Sequence, residues 1–175
     1  MRCFLAIELS DEAKNELVKI QEELKPFVLA KFVEKENLHL SLKFLGELDK
    51  EQINKVKDSL RKIKFGKLQG SLGKIGFFPN NKSINVIWVS LEPREKIREL
   101  NVMINDSLNN KDENFVSHLT LTRVKKVKDK LGFLKKVENI KIKPISFSVN
   151  SFVLKKSTLT EKGPIYEDIE RFELS

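Results

Sequence analysis

Two five-residue stretches, Leu38-His39-Leu40-Ser41-Leu42 and Ser117-His118-Leu119-Thr120-Leu121, contain both histidines of this 175-residue chain. In each, a histidine stands two positions before a small hydroxyl residue, with leucines between and after. Side chains two apart on a β-strand share a face, so the alternation predicts two strands that press leucines into a core. Each strand then presents an imidazole and a hydroxyl together on its other face. The histidines lie 79 residues apart, in corresponding places of two stretches with similar element order. A pseudo-twofold arrangement of such halves brings both imidazoles to one cleft.

The surrounding pattern is strands mixed with helices. Arg2–Leu9 is a compact apolar run that reads as a buried strand. Ser10 is a suitable N-cap for a helix carrying Leu17, Val18, Ile20 and Leu24, which Pro26 stops. Lys31–Glu34 reads as extended and leads into the strand Leu38–Leu45, followed by an amphipathic helix over Asp49–Ile63. Phe65–Phe78 reads as extended chain interrupted by glycines, and Pro79-Asn80-Asn81 turns it into a strand at Ile84–Leu91. A helix over Arg94–Leu108, a strand over Phe115–Val124 and a short basic helix over Asp129–Val137 follow. Ile140–Leu154 is extended and interrupted by Pro144, and Ile165–Leu174 is the last strand. Short turns between such elements predict an α+β fold with mainly antiparallel sheet, built as one two-lobed domain over residues 1–175.

Composition narrows the function classes. No run approaches the ~18 apolar residues that span a bilayer, and the opening residues lack the features of a signal peptide, so a cytoplasmic protein without a membrane partner is expected. The single Cys3 makes neither an internal disulfide nor a structural zinc site. The net charge is +8, yet residues 119–160 hold 11 Lys and Arg against two acids. Clustered bases release counterions from phosphates, so a polyanion is the expected partner. Lys125, Lys126, Lys128 and Lys130 are the residues that would track a nucleic-acid backbone, against the plainer reading of a solvated lysine-rich face.

Paired imidazoles suit acid–base chemistry at a phosphodiester. Histidine titrates at ~6.5, so one ring can activate an attacking hydroxyl while the other protonates the departing oxygen. Adjacent hydroxyls can donate hydrogen bonds to the phosphate oxygens. A lone histidine on a strand is more often an ordinary hydrogen-bonding residue; the recurrence is what favours catalysis here. A zinc site would need carboxylates that no His-Glu-x-x-His pattern supplies, and no Gly-x-Ser-x-Gly elbow exposes Ser41 as a nucleophile.

With these residues in view, the chain resembles the two-histidine phosphoesterase superfamily, most specifically the RNA 2',3'-cyclic phosphodiesterases, also called 2'-5' RNA ligases. The similarity is carried by Arg2-Cys3-Phe4-Leu5-Ala6-Ile7, by Glu36 to Gly46 around the first His-x-Ser pair, and by Phe77-Phe78-Pro79 and Ile87-Trp88-Val89. It continues through Phe115 to Arg123 around the second pair, Ser157-Thr158-Leu159 and Gly163-Pro164-Ile165-Tyr166. Ser41 stands where the family's His-x-Thr-x motif usually has Thr, and Ser117 where it often has Pro.

The resemblance implies a bilobal fold, with two mainly antiparallel sheets and flanking helices around a central cleft in pseudo-twofold halves. It implies hydrolysis of a terminal 2',3'-cyclic phosphate to a 2'-phosphate without metal or cofactor, and in some members ATP-independent 2'-5' joining to a 5'-hydroxyl. The expected partner is an RNA end, with tRNA-derived ends among the candidates, met by a monomer. His39 is assigned as general acid and His118 as general base, the reverse remaining open. Ser41 and Thr120 would hold the phosphate. Arg123 matches a family position, but strict alternation puts it opposite His118 unless the strand bulges. Lys43 shares the predicted face of His39 and is expected to add charge there. Phe4, Phe44 and Phe78 are candidates for stacking on a base, against the commoner role of core aromatics. Two alternatives stay open: a non-catalytic RNA or nucleotide binder on the same fold, and a hydrolase of small cyclic nucleotides.

Overall fold

The computed structural model describes residues 1–112 and 114–175. Its elements, in chain order, are β1 (Arg2–Glu8), α1 (Asp11–Leu24), β2 (Val28–Phe32), β3 (His39–Glu47), α2 (Lys50–Arg61), β4 (Leu68–Pro79), β5 (Ile84–Glu92), α3 (Arg94–Ser107), β6 (His118–Val127), α4 (Lys130–Asn139), β7 (Ser146–Val149), β8 (Ser151–Thr160) and β9 (Gly163–Glu173). Local chemistry sets most of these boundaries. The Ser10 hydroxyl accepts from the Ala13 amide at 3.1 Å, satisfying an orphan donor at the start of α1. At α2, Asp49 accepts from the Gln52 amide while the Gln52 side chain accepts from the Asp49 amide, a reciprocal capping box.

All strand pairs are antiparallel, and the strands run in the order β7-β4-β5-β6-β3-β1-β8-β9, with β2 also paired to β6. The first lobe is β3-β1-β8-β9 and the second is β7-β4-β5-β6-β2. They meet through one backbone pair, Leu40 with Leu119. The two expected sheets are thus continuous at this seam, and both seam leucines are fully buried.

The lobes are not contiguous halves of the chain. The Asn80 side chain accepts the Lys82 and Ser83 amides, closing a tight turn that keeps β4 beside β5, so β4 belongs to the second lobe. The extended stretch read as Ile140–Leu154 divides at Asn150. β7 joins β4, whereas β8 crosses to β1 in the first lobe and pairs with β9 over its whole length. The extended segment near Lys31 also begins earlier than its sequence pattern predicts, at Val28. That shift reflects pairing of Val28–Phe32 with β6 rather than any local preference. No helix is long and apolar enough to cross a membrane among the described residues.

One glycine is required by close approach. Gly76 pairs across β4–β5 with Trp88, whose indole lies over it so that an added Cβ would sit 2.2 Å from a ring carbon. Gly76→Ala is therefore expected to displace Trp88, the chain's only tryptophan. Overpacking of this kind costs about 1–3 kcal/mol. Thermal denaturation together with the intrinsic tryptophan emission would register the displacement as a lower Tm and a shifted spectrum.

Candidate active site

The Leu40–Leu119 pair is the centre of the site. In an antiparallel ladder its register sets His39 opposite Thr120 and Ser41 opposite His118, so each imidazole looks across the seam at the other motif's hydroxyl. The two histidines are diagonal neighbours in that register, a relation that separates positions by about 7–8 Å in a regular ladder. Their charges act on one another, since a protonated His118 disfavours protonation of His39.

Both rings are held the same way. His39 Nδ1 meets the Asn37 carbonyl at 2.6 Å, and His118 Nδ1 meets the Val116 carbonyl at 2.7 Å. A carbonyl only accepts, so each Nδ1 carries hydrogen and each neutral ring keeps its basic lone pair on Nε2. At His39, Nε2 accepts from the Ser41 hydroxyl at 2.9 Å, the local contact that a His-x-Ser spacing on a strand makes possible. Aromatic walls fix the ring planes. His39 packs against Phe4 at 5.2 Å and edge-on to Tyr166 at 5.3 Å, while His118 packs edge-on to Phe78 at 4.9 Å and against Trp88 at 6.0 Å.

Burial behind these walls disfavours the charged imidazole on both sides. His39 is driven down to about 4, chiefly by burial, against the opposing pull of the Asn37 carbonyl and helped by the charges of Lys155 and Lys14. Lys155 is itself only 12% exposed and is held between Glu8 at 2.9 Å and Asp168 at 2.7 Å. His118 also lies below the ordinary histidine value, from burial first and from the charge of Arg123, with the Val116 carbonyl opposing. Both rings are therefore neutral at pH 7 in the free protein.

Matched β-bulges decide what else shares this face. In β3, Ala6 pairs with Ser41 and Leu5 with Lys43, so Leu42 is the extra residue. In β6, Trp88 pairs with Thr120 and Ile87 with Thr122, so Leu121 is the extra residue. Each bulge lies three positions after its histidine and reverses the alternation beyond it. Arg123 is consequently exposed on the face of His118 and Thr120, and its charge is felt at both His118 and Tyr166. Phe44, at the equivalent position in β3, joins His39 and Ser41 and is 71% exposed.

The same bulge corrects the expectation for Lys43. It does not share the face of His39: it turns to the opposite side of the sheet and is 6% exposed. Its counterpart in β6 is Thr122, fully buried, whose hydroxyl donates to the Lys31 carbonyl at 2.7 Å. Phe4 is buried against His39, Tyr166 and Phe44, and Phe78 packs on Trp88 and His118, so both serve as walls. Of the three phenylalanines named as stacking candidates, Phe44 is the one classed as exposed.

A recess of about 280 Å³ opens beside His39, lined among others by Lys14, Asn37, Lys155 and Tyr166. Tyr166, Trp88, Lys14 and Lys155 were not singled out by alternation. Trp88 and Tyr166 belong to the family-like segments Ile87-Trp88-Val89 and Gly163 to Tyr166, and that membership is the one sequence signal that points to them. Among the described residues no group of three or more His, Cys, Asp or Glu side chains converges as a metal site would require.

A family model described as LigT like Phosphoesterase matches residues 7–88 and 91–166. A Methanocaldococcus jannaschii protein named RNA 2',3'-cyclic phosphodiesterase is 38% identical over 180 aligned positions, covering 98% of this chain and 100% of the relative. Proteins of the same name from Thermotoga maritima and Archaeoglobus fulgidus are 34% and 33% identical, covering 95% and 99% of this chain and 92% and 100% of the relatives. Among solved structures, a Thermus thermophilus protein superposes with a TM-score of 0.78 at 26% identity, covering 99% of this chain and 98% of that one. Escherichia coli LigT complexed with 3'-AMP shares the fold, with a TM-score of 0.79 at 23% identity over 99% of this chain and 98% of its own. A family match spanning both histidine strands, with relatives aligned over nearly the full length, leaves one conclusion: the chain belongs to the LigT-like phosphoesterase family.

Proposed function

We propose that this protein is an RNA 2',3'-cyclic phosphodiesterase that opens a terminal 2',3'-cyclic phosphate to a 2'-phosphate, and that the same site can join such an end to a 5'-hydroxyl through a 2'-5' linkage. The observation that carries this reading is the matched pair of imidazoles, each tied through Nδ1 to a backbone carbonyl and so left with a basic Nε2 beside the seam. The full-length relatives that bear this name support it.

In the proposed reaction, His118 Nε2 takes a proton from water as its oxygen attacks phosphorus. The bond from phosphorus to the 3'-oxygen breaks, and His39 Nε2–H delivers a proton to that oxygen, leaving the 2'-phosphomonoester. With a 5'-hydroxyl in place of water, the same transfers give the 2'-5' linkage. Ser41 and Thr120 donate to the phosphate oxygens, and Arg123 adds charge from the rim. His39 starts neutral, so it takes up a proton from solvent before delivering it, and the bound anionic phosphate favours that imidazolium. The scheme uses no metal or cofactor.

An extended RNA is favoured over a free cyclic nucleotide by the β2–β6 edge. Lys31 pairs directly with Arg123, and like charges placed opposite one another weaken a sheet unless an anion separates them. Lys125 and Lys126 continue the basic surface along β6, and Phe44 offers an exposed ring for a base. Because both motifs lie in one chain, the two lobes act as one catalytic unit, and we place it in the cytoplasm as a monomer with tRNA-derived ends among its substrates.

Alanine at His39 or His118 is expected to reduce cleavage of a 2',3'-cyclic-phosphate oligonucleotide by ~10²-fold or more, with wild-type activity unaffected by EDTA. Retention of most activity in either variant would sink the mechanism. A substrate with bridging sulfur at the 3' position separates the roles, because a thiolate leaves without protonation. That substrate should rescue His39→Ala and leave His118→Ala inactive; rescue of His118→Ala alone would reverse the assignment.

Acid–base behaviour provides a further check. Since burial lowers both histidines, kcat/KM should follow a bell with its maximum below pH ~6.5, and the kcat bell should lie at higher pH because bound phosphate restores the proton. Increasing salt should weaken binding of a long RNA steeply and of a cyclic mononucleotide little. Equal salt dependence would favour a small-nucleotide hydrolase, and binding without turnover a non-catalytic module.

A further inference from the structure

The two bulges beside the histidines are each held by a buried side-chain amide. In β6 the Leu121 carbonyl accepts from Gln21 Nε2 at 2.9 Å and from the Val33 amide, just beyond β2, at 2.9 Å. Gln21 Nε2 also donates to the Val33 carbonyl at 2.9 Å, so one amide joins the end of β2 to the bulge. In β3 the Leu42 carbonyl accepts from Asn101 Nδ2 at 2.8 Å. Asn105 donates to Asn101 Oδ1 at 3.1 Å, fixing which way the Asn101 amide points. Gln21 and Asn101 are 4% and 1% exposed.

Gln21 lies on α1, which links β1 of the first lobe to β2 of the second, and it grips β6 of the second. Asn101 lies on α3, which follows β5 of the second lobe, yet it grips β3 of the first. Asn101 supplies a donor to the buried Leu42 carbonyl, and Gln21 adds a second donor to the Leu121 carbonyl beside the Val33 amide and ties that bulge to the end of β2, so each amide favours the bulged backbone. Losing the bulge would slip the strand by one residue and turn Arg123 or Phe44 away from the catalytic face.

We propose that Gln21 and Asn101 are positioning residues, each fixing one bulge and thereby the aim of the catalytic strand that carries it: Gln21 for His118, Thr120 and Arg123, and Asn101 for His39, Ser41 and Phe44. The catalytic part of this inference rests on the reaction proposed above; the structural part does not.

Gln21→Met and Asn101→Leu remove the amides at nearly constant size. In each variant, NMR titration of the two histidines and kcat for a cyclic-phosphate oligonucleotide would be measured well below the Tm, with circular dichroism reporting the folded fraction. Gln21→Met should move the titration of His118 and leave that of His39 in place, and Asn101→Leu should do the reverse. Each should lower kcat per folded molecule by about tenfold to a hundredfold, the scale of a misplaced reacting group. Folded variants in which both histidines titrate as in wild type and kcat is unchanged would overturn the proposal, as would loss of the crossed pattern. If the apolar variants do not fold, Gln21→Asn and Asn101→Gln keep the amide but move it by one methylene, and the same crossed shifts are required of them. A wild type that cleaves no cyclic phosphate would refute the proposed reaction, while the titrations would still decide the positioning role.

Discussion

Leu40 and Leu119 form the one backbone pair through which the two lobes meet, and the placement of both histidines and of Ser41 and Thr120 follows from it. Because the pair is antiparallel, its local twofold relation carries His39 toward Thr120 and His118 toward Ser41. Because both leucines are fully buried, the polar residues beside them have to lie on the other face. A slip by one residue at this seam would send both imidazoles into the core. Registry here is therefore held by the same burial that stabilises the fold.

Around that pair the two lobes repeat one design with different side chains. Each imidazole is fixed through Nδ1 by a carbonyl two residues before it, walled by two aromatic rings, and followed three positions later by a bulge. The residues presented beyond the bulges then diverge. One lobe exposes Phe44 and the other Arg123, an aromatic ring against a positive charge. The electrostatics diverge as well: Lys155 and Lys14 act on His39, and Arg123 acts on His118. Two rings in near-equivalent backbone settings thus sit among different charges, while burial lowers both.

The polar interior is spent on geometry. Gln21 and Asn101 are buried amides whose hydrogen bonds go to backbone carbonyls at the bulges and just beyond β2. Glu8, Lys155, Asp168 and Arg171 form an ion-pair cluster on the β1, β8 and β9 surface beside His39. Such groups stabilise a protein modestly at best.

Sequence alone determined the helices with their Ser10 and Asp49 caps, the two His-x-hydroxyl strands, the resemblance to two-histidine phosphoesterases and the basic segment after the second motif. These are short-range signals: a period of two, a cap within three residues, a local run of charge. Tertiary structure decided the rest. That β4 leaves the first lobe while β8 and β9 enter it depends on pairing between residues far apart in the chain. That Lys43 is buried while Phe44 and Arg123 face the cleft depends on one extra residue in each strand relative to its partner. Alternation counts residues along one strand; a bulge exists only in relation to the strand beside it, so its consequences for the site could be read only once the strands were paired.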